Sequence, residues 1–412
     1  MGLSDAIDYR RRIVDDVLDE RLASDPAILI TGPRGCGKTT TASRRVASVV
    51  RLDVPGEAEA FRSDPDAAIG RVAGPVLLDE WQQVPEVLAA VRRAVDAGAG
   101  PGQYLLTGSM RANRGPSLWP GTGRIARVRM EGLTQSEQRD PDGSNDVMAR
   151  LLHPSDSLGR SRSKLPDYLD LAVRGGMPAV VLRGRSPLRW YADYLDQFID
   201  RDVPETGTIA EPDRLRRYLV TLAESTAGTP TTSTLLQAAR INAKTAARYD
   251  VILTEMGILE VAPTWSRNRL SRIVKQGKVY LTDTGLTAAA LEVDADDLLA
   301  DGGLYGRITD AFVAAQIRPA LAVGSIARRL YHLRDQGGRH EIDLILDLGR
   351  RGIVAIEIKA AASVTPQDAR HLAWLRDQLG DQFASGLVLH TGPDGYELGD
   401  RIVAAPISFL WS

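Results

Sequence analysis

Between Ala27 and Leu133 short apolar runs alternate with segments of helical periodicity, the pattern of a parallel sheet covered by helices. The runs are Ala27-Ile28-Leu29-Ile30, Val76-Leu77-Leu78 and Tyr104-Leu105-Leu106. A strand buried on both faces needs continuous rather than alternating hydrophobicity, which is what these runs supply. Each gives way to polar residues at its C-terminal end, the edge at which such sheets hold ligands. A stretch rich in Asp, Ser, Gly and Arg between about Asp140 and Lys164, including Pro141-Asp142-Gly143-Ser144-Asn145, reads as a linker. From Leu165 to Leu291 the pattern is mainly helical. Tyr191, Tyr194, Leu195 and Phe198, with Trp190 alongside, and then Leu215, Tyr218, Leu219 and Leu222, recur at helical spacing and read as core. From Asp301 strands return, notably Glu341-Ile342-Asp343-Leu344-Ile345-Leu346 and Ile353-Val354-Ala355-Ile356-Glu357-Ile358. The predicted class is α/β, with a parallel-sheet core over 1–140, a linker and helical region over 141–230, a helix-turn-helix unit over 231–291 and a second α/β domain over 292–412.

The strongest chemical signal is Gly32-Pro33-Arg34-Gly35-Cys36-Gly37-Lys38-Thr39, which fits G-x-x-x-x-G-K-[ST], follows an apolar run and opens a helical segment. Glycines let backbone N–H groups turn inward around phosphates, and the helix N-terminus adds a favourable dipole. Lys38 is placed to reach the β and γ phosphates of ATP, and the hydroxyl of Thr39, followed by Thr40, offers a hard oxygen to Mg²⁺. The plain alternative is a glycine-rich turn that binds nothing. Val76-Leu77-Leu78-Asp79-Glu80 carries a carboxylate pair to the same sheet edge. Asp79 is the candidate for the Mg²⁺ shell and Glu80 for the base that orients an attacking water, against a solvated strand end. Thr107 and Ser109, after the third run, are candidates for sensing the γ-phosphate or are residues of a simple turn.

Composition narrows the partners and the compartment. With 412 residues, 43% hydrophobic and 25% charged, the chain can bury two or three cores. Its 51 basic and 53 acidic residues leave a net charge of -2, so any nucleic-acid surface must be a local patch. A single cysteine, Cys36, excludes an internal disulfide and a cysteine-rich zinc site. The charged N-terminal stretch has no signal-like apolar core, and no stretch approaches the roughly 20 apolar residues of a membrane span. The expected location is the cytoplasm, with no membrane partner.

The succession Thr31 to Thr39, Leu78-Asp79-Glu80-Trp81-Gln82-Gln83-Val84-Pro85 and Leu106-Thr107-Gly108-Ser109 resembles the AAA-type ATPases that prokaryotes fuse to a C-terminal domain of unassigned function. The resemblance covers nearly the whole chain and implies ATP and Mg²⁺ as cofactors. The Ser-Leu-x-Gly-Arg stretch of that family has a longer counterpart in Ser117-Leu118-Trp119-Pro120-Gly121-Thr122-Gly123-Arg124. Arg124 is thereby a candidate finger on a neighbour's γ-phosphate in a homo-oligomer, or a plain surface arginine. Arg174-Gly175-Gly176-Met177-Pro178 and Phe198-Ile199-Asp200-Arg201-Asp202 look like further landmarks of the family.

Thr232 to Ala239 and Ala243 to Met256, broken at Ile241-Asn242, read as a helix-turn-helix, and Ile258 to Val261 with Lys278 to Leu281 read as its β-wing. Between Lys244 and Lys278 seven basic residues (Lys244, Arg248, Arg267, Arg269, Arg272, Lys275, Lys278) face three acidic ones, a local net charge of +4. Phosphate contacts from Lys244, Arg248, Arg267, Arg269 and Arg272 would bind DNA in a salt-dependent way; a protein-contacting winged helix is the alternative.

Further on, Asp343 precedes Glu357-Ile358-Lys359 by thirteen intervening residues. On adjacent strands the two carboxylates could converge on one Mg²⁺ or Mn²⁺, with Lys359 beside a nucleophilic water. This pattern resembles the PD-(D/E)XK nuclease fold, with Glu341 and the helical Asp310 as further members. A charged hairpin and a silent relic of the fold are the alternatives, and the five histidines show no metal-ligand spacing. Together these features predict an ATP-binding and ATP-hydrolysing protein that engages DNA, with phosphodiester cleavage by the C-terminal domain. The rival is a nucleotide-controlled DNA- or protein-binding regulator whose nuclease-like domain is silent.

Overall fold

A computed structural model describes residues 9–108, 123–140, 146–205, 211–267, 276–324, 328–335 and 339–412. Its first sheet holds β1 (Ala27–Thr31), β2 (Ser48–Arg51), β3 (Val76–Asp79), β4 (Tyr104–Thr107) and β5 (Ala126–Arg129) in the order β2-β3-β4-β1-β5. All four pairings are parallel. The three predicted strands are the interior ones. β2 and β5 carry no continuous apolar run because each lies at a sheet edge, and their burial alternates or is partial.

Alternate residues of β1 serve two cores, which is why its run is unbroken. Ala27 and Leu29 pack with Leu78, Leu106 and the helices Pro55–Ser63, Pro65–Arg71 and Val87–Asp96. Ile28 and Ile30 pack with Tyr191, Phe198, Leu219, Leu253 and Leu286 of the helical middle. The parallel sheet and the middle helices therefore share one core across the 141–230 region.

The Gly175-Gly176 pair is explained by that junction. A Cβ on Gly176 would stand 2.6 Å from the Leu133 carbonyl oxygen, and the Gly176 N–H donates to Asp283 at 3.0 Å. The Arg-Asp landmark Phe198–Asp202 forms a π-helical segment between the helices Pro187–Gln197 and Val203–Glu205. Insertions of this kind re-aim side chains, and here Asp202 meets Arg34 of the phosphate loop.

Helices Pro212–Glu224, Thr232–Ala239 and Ala243–Glu255 lead into an antiparallel pair, β6 (Leu259–Ala262) and β7 (Lys278–Leu281). Thr231 and Asn242 cap the last two helices through their side-chain oxygens, fixing the break where the sequence places it. The final sheet runs β12-β13-β11-β10-β9-β8, with β8 (Leu330–Arg334), β9 (Glu341–Asp347), β10 (Ile353–Lys359), β11 (Phe383–His390), β12 (Tyr396–Gly399) and β13 (Ile402–Pro406). Helix Gly302–Ala322 packs on one face and helix Arg370–Leu379 on the other. Among the described residues no helix is long and apolar enough to cross a membrane.

Candidate functional sites

At the C-terminal edge of the first sheet the chain turns from Thr31 into the helix Lys38–Ser43. Gly32 has φ +148°, and a Cβ there would lie 1.9 Å from the Met130 carbonyl oxygen, so no side chain fits at the start of this loop. Lys38 is buried, and its ammonium donates to the carbonyls of Gly32 at 3.1 Å and Pro33 at 2.9 Å. Thr39 donates to Asp79 Oδ1 at 2.9 Å, and Thr107 donates to the same oxygen. Three residues predicted from separate motifs thus meet around one carboxylate. Hydroxyl and carboxylate oxygens gathered in this way suit Mg²⁺, which takes hard oxygen ligands.

Glu80 follows β3 in the left-handed region at φ +52°, and its carboxylate accepts a hydrogen bond from Gln82 Nε2. Gln82 is buried and its Oε1 has no protein partner. Cys36 is buried with a free thiol, while Arg34, Gly35 and Thr40 are exposed, and Arg34 is paired with Asp202. Arg124 is half-exposed and pairs with Asp96 at 2.9 Å, on the same chain. Ser109, Arg269 and Arg272 lie outside the described residues.

A cleft opens beside the start of the Lys38–Ser43 helix, lined by Tyr9, Thr41, Leu133, Pro178, Leu182 and Arg183 among others. Arg12 borders it from within: its guanidinium donates to the Cys36 carbonyl at 3.0 Å, the Glu131 carbonyl at 2.7 Å and the Glu137 carboxylate at 2.9 Å. The Glu131 carboxylate in turn meets Arg318 of the helix Gly302–Ala322 at 3.2 Å. Sequence reasoning missed Tyr9, Arg12 and Gln82, since nothing in the local pattern near Tyr9 and Arg12 distinguishes them from an ordinary charged N-terminal stretch.

Of the two helices Thr232–Ala239 and Ala243–Glu255, the second has Lys244, Arg248 and Val251 exposed on one side. Arg267 is exposed and donates to the Gln378 carbonyl of the third domain. Lys278, counted above with the basic surface, is not on it. It is buried, and its Nζ lies 2.5 Å from Asp310 Oδ2 and 3.2 Å from Asp343 Oδ1.

That lysine belongs to the second gathering of charges. Asp343 Oδ2 accepts from the Ile358 N–H at 2.9 Å, and Glu357 neighbours Asp343 across the antiparallel pair β9 and β10. Lys359 Nζ stands 3.6 Å from Glu357, and Tyr280 on β7 donates to Asp310 at 3.0 Å. Burial, reinforced by the charge of Asp343, pushes Glu357 up to about 9. Burial also pushes Asp310 up to about 7 despite the adjacent ammonium. For Asp343 burial is outweighed by Lys278 and the Ile358 N–H, so its carboxyl lies below the ordinary value. Lys278 is raised well above its ordinary value, because Asp310 and Asp343 outweigh burial.

The predicted pair of Asp343 and Glu357 is therefore brought together, with Lys359 and Asp310 close by. Glu341 is not part of it: it is exposed on β9 and faces Arg334 at 3.9 Å. Among the described residues no group of three or more His, Cys, Asp or Glu side chains is placed to hold a metal ion. The Lys278 ammonium between Asp310 and Asp343 takes the oxygens that a divalent cation would need, so the arrangement does not fit one. Two of the histidines do meet, contrary to their spacing in sequence: His340 stacks on Trp374 at 3.9 Å and lies 3.4 Å from His371, whose Nε2 accepts from Arg370.

The parallel sheet, its phosphate-type loop and the meeting of Thr39, Asp79 and Thr107 form the arrangement of a P-loop nucleotide-binding domain. Residues 24–138 match the family described as AAA domain. Residues 165–297 match a domain of unknown function (DUF8612) and residues 305–410 another (DUF4143). Uncharacterized proteins of Mycobacterium tuberculosis and Mycobacterium bovis are each 28% identical over 389 residues, covering 92% of this chain and 80% of theirs. The solved Walker-type ATPase of Pyrococcus abyssi is 12% identical, with a TM-score of 0.42 over 68% of this chain and 94% of that one.

Proposed function

We propose that the chain hydrolyses ATP at the first sheet and uses the nucleotide state to control DNA engagement by the helix-turn-helix. The observation that carries this is the convergence of Thr39, Asp79 and Thr107 beside the Lys38 loop. Lys38 exchanges its two loop carbonyls for phosphate oxygens, and the loop N–H groups and helix N-terminus take the remaining phosphate charge. Thr39 and Asp79 would hold Mg²⁺, which neutralises charge on the phosphates when bound. Glu80, released from Gln82, orients the attacking water, and Thr107 relays the state of the γ-phosphate to Asp79. The cleft between Tyr9, Thr41 and Leu182 receives the base. Arg124 is the finger candidate if copies assemble head to tail.

Exposed Lys244 and Arg248 on the helix after the turn, with the antiparallel pair behind it, support a winged helix that meets DNA phosphates. The Arg12, Glu131 and Arg318 contacts connect the phosphate loop with the third domain, which supports nucleotide control across domains. Phosphodiester cleavage by Asp343, Glu357 and Lys359 is left out of this reading, because the cluster does not fit a metal ion as folded.

The test is a Glu80→Gln variant assayed for ATP binding, turnover and DNA affinity. Retained ATP binding with turnover lost, and a DNA affinity that differs between ATP and ADP, supports the reading. Normal turnover removes Glu80 from its role, and a DNA affinity indifferent to nucleotide refutes the control.

A further inference from the structure

The C-terminal carboxylates come from β9, β10 and the helix Gly302–Ala322, yet the cation among them comes from elsewhere in the chain. Lys278 is the first residue of β7, which pairs with β6 rather than with the final sheet. Its Nζ contacts Asp310 and Asp343 at 2.5 and 3.2 Å, and only 6% of its side chain is exposed. Two residues along the same strand face, the Tyr280 hydroxyl donates a hydrogen bond to the other oxygen of Asp310.

β7 is fastened there by more than charge. The Trp265 N–H donates to the His332 carbonyl at 2.6 Å and the His332 N–H donates to Pro263 at 3.1 Å, which joins the end of β6 to β8. The His332 ring lies 3.1 Å from the Thr264 hydroxyl and 3.2 Å from the Gln276 carbonyl, so one side chain holds both ends of the segment between β6 and β7. A lysine at a DNA-facing wing would be exposed and free to move; this one is locked inside the neighbouring domain.

We propose that Lys278 is a built-in counter-ion that takes the place of a metal in the C-terminal carboxylate cluster, so that β7 closes this site to divalent cations. The inference rests on reading Asp343 and Glu357 as a nuclease-like pair. It makes the wing a plug as well as a DNA-binding element. It also assigns Lys278 and Tyr280, which the sequence places in the middle domain, to the site of the last one. A divalent ion and an ammonium compete for the same oxygens, and the ammonium is held among them by the chain itself.

The experiment is a Mn²⁺ titration without nucleotide, followed by electron paramagnetic resonance, on the full chain carrying Asp79→Asn, which removes the carboxylate assigned to the divalent cation at the first sheet. Three forms are compared on that background: no further change, Lys278→Gln, and Lys278→Gln with Asp343→Asn. The expected result is no Asp343-dependent Mn²⁺ binding with Lys278 present, at least tenfold tighter binding with Lys278→Gln, and its loss in the form that also carries Asp343→Asn. Equal, Asp343-dependent binding with and without Lys278 overturns the plug while keeping the carboxylate site. Absence of Asp343-dependent binding in every form overturns both the plug and the nuclease-like reading beneath it.

Should Lys278→Gln fail to fold, the form with Lys278 intact still decides the question through acetic anhydride labelling of Lys278 read by mass spectrometry as the same titration is extended. Labelling of Lys278 that rises in step with Asp343-dependent Mn²⁺ binding, at Mn²⁺ concentrations above those of the first titration, supports displacement of the ammonium, and no such binding at any concentration overturns the plug together with the nuclease-like reading. Asp343-dependent Mn²⁺ binding with Lys278 still protected overturns it.

Discussion

Replacing Glu357 by Gln tests the electrostatics of the C-terminal cluster without removing its packing. Glu357 is 4% exposed and neighbours Asp343 across the antiparallel pair β9 and β10. Its carboxyl is pushed from the ordinary 4.5 to about 9 by burial and by the charge of Asp343. A raised carboxyl means that the folded protein keeps a proton which the unfolded chain has released. The stability this contributes is complete below 4.5 and is lost as the pH rises towards 9. The slope for one proton is at most about 1.4 kcal/mol per pH unit. Asp310, raised to about 7, adds a similar slope below that pH, so the window from 7 to 9 isolates Glu357. For a domain of roughly 100 residues, 1 kcal/mol corresponds to about 4–8 °C in Tm, so the wild type loses several degrees per pH unit there. Glutamine is uncharged like the protonated acid and cannot ionise. Calorimetry of full-length wild type and Glu357→Gln at pH 7, 8 and 9 should show the two Tm values diverging with pH, the variant melting higher at pH 9. Parallel curves would refute the raised carboxyl.

Thr107→Val keeps shape and removes the hydroxyl that bonds Asp79. A hydrogen bond to a charged group is worth about 1.5–3 kcal/mol, so kcat/KM for ATP should fall roughly 10–100-fold, and an unchanged value would place Thr107 in a passive turn. Leu182→Trp fills the cleft beside Tyr9 and should raise KM for ATP more than tenfold with kcat little changed; equal KM values would move the base elsewhere. Charge reversal in Arg248→Glu should weaken DNA binding and lower the slope of log affinity against log salt by about 1, and an unaltered slope would exclude this helix from the DNA surface.

The interior of the ATPase domain was legible because β1, β3 and β4 are buried on both faces and therefore read as unbroken apolar runs. The edge strands β2 and β5 were not, since one-sided burial leaves Arg51, Arg127 and Arg129 within them. The phosphate loop and the Asp79 pair were legible for a different reason: their chemistry is carried by residues close in sequence. Asp343 and Glu357 were found through strand spacing, but the charge balance of that cluster was not. Lys278 looked like part of a basic wing, and only the fold brings it 32 and 65 residues along the chain to Asp310 and Asp343. Tyr9, Arg12 and Leu182 likewise come together from segments with no shared motif. The Gly175-Gly176 pair was visible as a landmark, while its cause, the approach of the Leu133 carbonyl, is a property of the packed junction.

The most direct measurement is steady-state ATP hydrolysis by wild type and Lys38→Ala, paired with equilibrium binding of a fluorescent ATP analogue to both. Turnover in the wild type, with hydrolysis and binding both lost in Lys38→Ala while the melting temperature without nucleotide is unchanged, is the predicted result. Equal hydrolysis by the two proteins would contradict the assignment of the Gly32 to Thr39 loop as the phosphate site.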